Sequence, residues 1–166
     1  MISFSIWFRR LIHNFGNILR SLYILYLRLA GIKIGKDTMI SLGAKIDVSH
    51  GNISIGNNCL ITHGSKILSH DGSVGLAKPG DSGGGNVKIG NNVFVGVNAI
   101  ILRNVKIGDN SVIGAGSVVT EDVPECSLVI GNPARVIKTL KGPFRIINNP
   151  KHCKLLCRNG SAKSKT

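Results

Sequence analysis

Acidic residues are scarce. Eight Asp and Glu stand against 21 Lys and Arg, giving a formal net charge of +13 over 166 residues. The imbalance is confined to the ends. Residues 1–33 carry five Lys/Arg and residues 139–166 carry seven, with no acid in either, while the middle holds nine against all eight acids. Such ends are expected to be solvated surface or to meet an anionic membrane face or an anionic carrier. For residues 139–166 the expectation is a loosely structured basic tail. Nucleic acid is not expected as a partner, because the basic ends carry no interleaved aromatic pattern and no recognisable binding motif. Cysteine is also sparse, and its four copies make no disulfide framework. Cys153 and Cys157, with His152, are half of a zinc set that needs four converging ligands. Reduced thiols in a cytoplasmic protein are the expectation. No apolar run reaches the ~18 residues of a membrane span, and no small-residue cleavage site follows the first segment. Five threonines, not in rows, exclude a flat ice-binding surface.

What the chain does have is a period of six. Over residues 89–123 an aliphatic residue returns at Ile89, Val95, Ile101, Ile107, Ile113 and Val119. A small or β-branched residue follows four places after each: Val93, Ala99, Val105, Ser111, Ser117 and Val123. Neither a helix face nor a long flat strand has this period. It marks a chain that turns a corner every six residues and stacks on itself as a parallel β-helix. Side chains two apart share a face, so the small residue and the next aliphatic both point inward. Gly, Asn and Asp fall at the corners, where left-handed and turn backbone is least costly for them. Three sides close a coil, and coils stack at ~4.8 Å, burying each other's inward rows. Cys59 falls at an inward small position, where a thiol acts as an apolar filler.

The spacing extends this reading in both directions. Residues 3–30 predict a helix, with Phe4, Phe8, Leu11, Phe15, Ile18, Leu22, Leu25 and Leu29 on one stripe and Arg9, Arg10, His13, Asn17, Arg20 and Arg28 opposite. The stripe is expected to cap the open first coil or pack on a neighbouring subunit; a helix lying in a membrane interface is the alternative. Hexads begin at Ile34, Ile40 and Ile46, then at Ile55, Ile61 and Ile67. Two insertions interrupt them: a bulge near residues 47–52 and a Gly-rich loop at 69–86. Both leave the third side of a coil, so both emerge from one edge, one coil apart. Long loops without structure of their own are usually functional, which places the chemistry at this edge. After Val119 the repeat is read as decaying. The domains are therefore helix 1–33, solenoid 34–138 with its inserted loop, and tail 139–166.

The hexads, with Ile113-Gly-Ala-Gly-Ser-Val-Val-Thr-Glu-Asp-Val-Pro and Gly131-Asn-Pro-Ala-Arg-Val-Ile, resemble the hexapeptide-repeat acyltransferases. The likeness is to the galactoside and maltose O-acetyltransferases and to capsule or O-antigen acetyltransferases. It implies an all-β solenoid, a left-handed parallel β-helix, assembled as a homotrimer with sites between subunits. It also implies acetyl-CoA as co-substrate and direct transfer to a hydroxyl, with no metal. On this resemblance His70, at the root of the long loop, is the base. An alcohol is a poor nucleophile at neutral pH, and an imidazole of ordinary pKa ~6.5 can take its proton during attack. Asp47 and Asp71 are candidates to orient it, though a backbone carbonyl serves equally. His50 is a candidate contact to the acceptor, and His63 is read as surface. The spacing of His50, His63 and His70 does not resemble the zinc sites of carbonic anhydrases sharing this coil. Coenzyme A is expected against the backbone at Gly96, Val97 and Ala115, with Thr120 nearby and the phosphates on Arg135 and Lys138. Glu121 departs from the Lys that relatives often carry there.

The resemblance and the basic ends lead to acetylation of a sugar hydroxyl in surface-polysaccharide synthesis, in the cytoplasm or peripherally at a membrane. Another small acceptor, serine or an amino sugar, is the second reading. A non-catalytic scaffold is the third. Serine acetyltransferases bring a larger helical N-terminal domain, which 33 residues cannot supply.

Overall fold

A computed structural model describes residues 2–49 and 51–141, with side chains from residue 14 onward. His50 and the tail from residue 142, with His152, Cys153 and Cys157, lie outside the described residues.

The first element, α1 (Ile2–Leu29), agrees with the spacing of its apolar residues. It ends where Gly31 adopts φ +94°. The Gly31 amide donates to the Arg28 carbonyl and the Ile32 amide to the Leu27 carbonyl, each at 3.0 Å. This is the Schellman closure, and its usual apolar contact is present, since Leu27 and Ile32 are both buried. The helix does cap the first coil, but with a different side from the one its main stripe suggested. Leu27 enters the core, Tyr23 and Ile24 pack against it, and the Tyr23 hydroxyl donates to the Ala44 carbonyl at 2.9 Å. Phe15, Ile18, Leu22, Leu25 and Leu29 remain exposed.

The solenoid follows as a three-sided prism. Its first face stacks β1 (Lys33–Ile34), β4 (Asn52–Ile55), β7 (Asn86–Ile89) and β10 (Lys106–Ile107). The second stacks β2 (Met39–Ile40), β5 (Leu60–Ile61), β8 (Phe94–Val95), β11 (Val112–Ile113) and β13 (Ser127–Gly131). The third stacks β3 (Lys45–Ile46), β6 (Lys66–Ile67), β9 (Ile100–Ile101) and β12 (Val118–Val119). All these pairings are parallel, and they put the hexad aliphatics in columns. Ile40, Ile61, Val95, Ile113 and Val129 form one, and Ile46, Ile67, Ile101 and Val119 another. The small positions lie between them and are buried, including Thr38, Cys59, Ser65, Ser111 and Ser117. A buried hydroxyl without a partner is costly, and these have one: Thr38 donates to the Gly56 carbonyl at 2.7 Å and Ser111 to that of Pro124 at 2.9 Å.

Corners between the first and second faces use left-handed residues in register. Asn58, Asn92 and Asn110 have φ of 53–57°. Asparagine tolerates that backbone, and here its side chain also joins the coils. The Asn58 amide donates to Asn92 at 2.6 Å, and the Asn92 amide to Asn110 at 3.1 Å. The repeat does not decay after Val119. It continues along two more sides, with Val123 bridged to Ile107 and Val129 paired with Ile113. The corner from Val119 to Val123 is shorter than a hexad, which breaks the count in sequence without breaking the stack. The chain then reverses at Asn132–Pro133 into β14 (Ala134–Thr139), antiparallel to β13, and the parallel winding ends.

Candidate active site

The edge between the third and first faces carries both insertions, and the structure brings them into contact. Hydrogen bonds close the base of the long loop as a two-stranded neck. His70 bridges Gly84 antiparallel, the Asp71 amide donates to the Gly83 carbonyl at 2.9 Å, and the Gly85 amide donates to that of Ser69 at 2.8 Å. Inside the loop sits one short turn of helix, α2 (Val74–Ala77). Stacking of the bulge on this neck is tight enough to require glycine: a Cβ on Gly51 would come within 2.1 Å of the Gly85 carbonyl oxygen.

Asp47 joins the two insertions. One carboxylate oxygen accepts from the amide and hydroxyl of Ser49, the other from the amide (3.2 Å) and hydroxyl (3.0 Å) of Ser69. Ser69 immediately precedes His70, so Asp47 fixes the backbone that presents the imidazole. Desolvation opposes its ionisation, but the hydrogen bonds from Ser49 and Ser69 outweigh that and lower its pKa to about 2. The far side of the neck is held by Arg103, at the same edge one coil on. Its guanidinium pairs in a fork with Asp81 at 2.9 and 3.1 Å and donates to the Gly84 carbonyl at 2.9 Å. That hydrogen-bonded pair draws Asp81 below the usual carboxylate range.

His70 is partly exposed at this neck. Gly83, at φ +77°, lies against it: a Cβ there would stand 3.1 Å from the imidazole Nε2 and 2.5 Å from the Asp71 carbonyl oxygen. Asp71 accepts from the Ser73 amide and hydroxyl at 2.9 and 2.6 Å. Hydrogen bonding by Ser73 lowers its pKa first, and the charges of Arg103 and His70 act in the same direction. Asp47 is therefore bonded to Ser69, the residue before His70, whereas Asp71 places negative charge beside the imidazole.

Of the other candidates, Thr120 falls on this edge too, following β12 as Leu102 follows β9 one coil earlier, and the remaining described ones lie elsewhere. Gly96, Val97 and Ala115 lie at the corner between the second and third faces. Coils approach closely there; a Cβ on Gly96 would meet the Ala115 nitrogen at 2.5 Å, and the Gly116 amide donates to the Val97 carbonyl at 2.8 Å. His63 shares that corner and is exposed. Thr120 and Glu121 follow β12 and are exposed. Arg135 and Lys138 are exposed on β14, and Arg135 stands 3.6 Å from the Glu121 carboxylate. Within one chain the His70 neck and the Gly96–Ala115 corner are on different edges of the prism. Sequence reasoning missed Arg103, Asp81, Gly83 and Ser69. For Arg103 a signal existed: with Ile101 stacked on Ile67, counting two residues on sets Arg103 beside Ser69.

An Asp47→Asn variant tests the clamp through pH. A carboxyl that titrates near 2 when folded and near 3.8 when unfolded stabilises the fold above the latter value, and the contribution disappears as pH falls through the former. With solvent screening of this partly exposed group, the effect is about 1 kcal/mol. Denaturant unfolding at a series of pH values is expected to show wild type losing that much between about pH 4 and pH 2. The variant should be weaker at pH 7 by the same amount, and flatter through the acid window.

Comparison with known proteins accords with the fold. The bacterial transferase hexapeptide family (six repeats) matches residues 86–121. Protein CapG of Staphylococcus aureus is 47% identical over 111 residues, 64% of this chain and 64% of that protein. The polysialic acid O-acetyltransferase of Escherichia coli O1:K1 / APEC is 40% identical over 108 residues, 63% of this chain and 35% of that protein. A hexapeptide-repeat acetyltransferase from Vibrio cholerae O1 biovar eltor, solved with acetyl coenzyme A, superposes with a TM-score of 0.58 at 32% identity, covering 67% of this chain and 61% of that one. The prism is thus a left-handed parallel β-helix of hexapeptide repeats, and this chain's homologues include named acetyltransferases. The chain spans less than two thirds of the length of each of these three relatives.

Proposed function

We propose that the chain is an acetyl-CoA-dependent O-acetyltransferase acting on a sugar hydroxyl in the synthesis of a surface polysaccharide. The observation that carries this reading is His70 at a braced loop neck on a hexapeptide-repeat prism. Acetyl coenzyme A in the Vibrio cholerae structure and polysialic acid in the name of the Escherichia coli relative support the two substrates. In the proposed step, His70 takes the proton of the acceptor hydroxyl as its oxygen attacks the thioester carbonyl. The new C–O bond forms, the C–S bond breaks, and the proton passes from His70 to the departing thiolate. No acetylated enzyme intervenes. Asp71 is assigned to the acceptor side, and His50 is assigned from the sequence as a contact to the acceptor.

Coenzyme A is assigned to the Gly96, Val97 and Ala115 corner, with Thr120 nearby and Arg135 and Lys138 at its phosphates. That corner and His70 belong to different edges, so a complete site needs a neighbouring copy, and we assign a homotrimer. A row along the outer side of the second face supports it: Met39, Leu60, Phe94, Val112 and Leu128 stand in direct register, apolar throughout. The enzyme is placed in the cytoplasm, in peripheral contact with the membrane that carries its acceptor.

The test is coenzyme A release from acetyl-CoA in the presence of polysaccharide fragments, with the product examined for O-acetyl esters. Acceptor-dependent release, with no label left on the protein, is the expected result. Transfer to serine or an amino sugar alone would replace the sugar hydroxyl, and failure to bind coenzyme A would end the enzymatic reading.

A further inference from the structure

Only part of α1 is used by the fold. Its Leu27, Tyr23 and Ile24 face the solenoid, while Phe15, Ile18, Leu22, Leu25 and Leu29 lie on another side, each half to four-fifths exposed. Leu19 and Tyr26 widen this exposed strip. The spacing continues toward the N-terminus in the sequence through Phe4, Phe8 and Leu11. An unpartnered apolar strip from Phe15 to Leu29 is far more than the scattered exposed leucine of an ordinary surface.

Two observations say what covers it. The first is charge: Arg9, Arg10, Arg20, Arg28 and Lys33 occur in residues 1–33 with no acidic residue among them. Bundling copies of such a helix would bring like charges together with no carboxylate to pair with them, whereas an anionic surface supplies the missing sign. The second is composition. Besides the Tyr23 that packs on the solenoid, Trp7, Tyr26 and three of the five phenylalanines of the chain fall in this helix, and aromatic side chains favour the boundary between lipid headgroups and acyl chains. Among the described residues no helix is long and apolar enough to cross a membrane.

We propose that α1 lies in the interface of an anionic lipid membrane, its exposed strip in the acyl boundary, with the solenoid docked beneath it through Leu27 and through Arg28, whose guanidinium donates to the Ile34 carbonyl at 3.1 Å. The inference goes beyond the transfer reaction and is read independently of it. Full-length protein is sedimented with vesicles of equimolar phosphatidylcholine and phosphatidylglycerol, and with phosphatidylcholine alone. The expected result is binding at least ten-fold tighter to the anionic vesicles and weakening as salt rises from about 0.1 to 0.5 M. A Leu22→Glu/Leu25→Glu variant should lose that binding while its coenzyme A affinity and its mass by light scattering stay those of the wild type. Wild type left in the supernatant, or a variant that still binds vesicles, overturns the proposal. So does a variant that falls to a smaller oligomer, since the strip then joins copies of this chain. An inactive protein that sediments leaves the proposal standing.

Discussion

Replacing His70 with Ala is expected to reduce acetyl transfer by about 10²–10⁴-fold, the usual contribution of a positioned general base, with coenzyme A affinity changed by less than about two-fold. The size of the loss depends on whether another group can take the proton. Around the neck the titratable neighbours are Asp47, Asp71 and Asp81, and the structure pulls each below the ordinary carboxylate range. A carboxylate held so acidic is a poor acceptor for a hydroxyl proton at neutral pH. Arg103 keeps its proton, with hydrogen bonding to Asp81 raising its pKa further. Among the described residues the neck therefore holds one imidazole and no substitute for it. Steady-state thioester consumption with acceptor, alongside coenzyme A binding by titration, separates the two effects. Turnover within ten-fold of wild type would remove His70 from the mechanism; coenzyme A affinity lost in parallel would make it a binding residue.

Much of this architecture is legible from spacing alone, because a solenoid converts local pattern directly into three-dimensional neighbours. Ile89 and Ile107 stand in one column on adjacent coils for the same reason that they are eighteen apart in sequence. The common edge of the two insertions follows from counting, and Asp47 meeting Ser69 is its consequence. Other features elude the count. Val123 occupies an aliphatic column position after a shortened corner, so a strict hexad reading places it wrongly and stops the solenoid too soon. For α1 the periodicity identifies an apolar stripe but not which flank meets the core. Leu27 was buried by the Schellman closure at Gly31, a backbone decision that hydrophobic spacing does not encode. The glycines of the long loop are the clearest case. Composition marks the segment as Gly-rich, yet only the folded chain distinguishes a glycine that merely turns the backbone from one that makes room for the His70 imidazole.

Gly80 and Gly83 supply that distinction as an experiment. Both have left-handed backbone, φ +95° and +77°, so any side chain is strained at either. A Cβ on Gly80 would meet nothing within 4 Å, whereas one on Gly83 would meet the Asp71 carbonyl oxygen at 2.5 Å and the His70 Nε2 at 3.1 Å. Gly80→Ala is therefore expected to leave transfer within about three-fold of wild type, the strain being absorbed in an exposed loop. Gly83→Val adds a β-branched side chain where left-handed backbone is least tolerated and where the imidazole already stands. It should open the neck, displace His70 and lower transfer by at least about 10²-fold, since a misplacement near 1 Å suffices for a loss of that order. The columns at Ile61, Ile101 and Ile113 are fully buried inside the prism and do not include the loop, so the unfolding midpoint should move by no more than a few degrees. Paired kinetics and thermal melts on the two variants decide the matter. Equal activity in both would mean that the neck gives way without carrying His70 along, and a collapsed melt for Gly83→Val would mean that the loop is part of the fold's cooperative unit rather than an appendage to it.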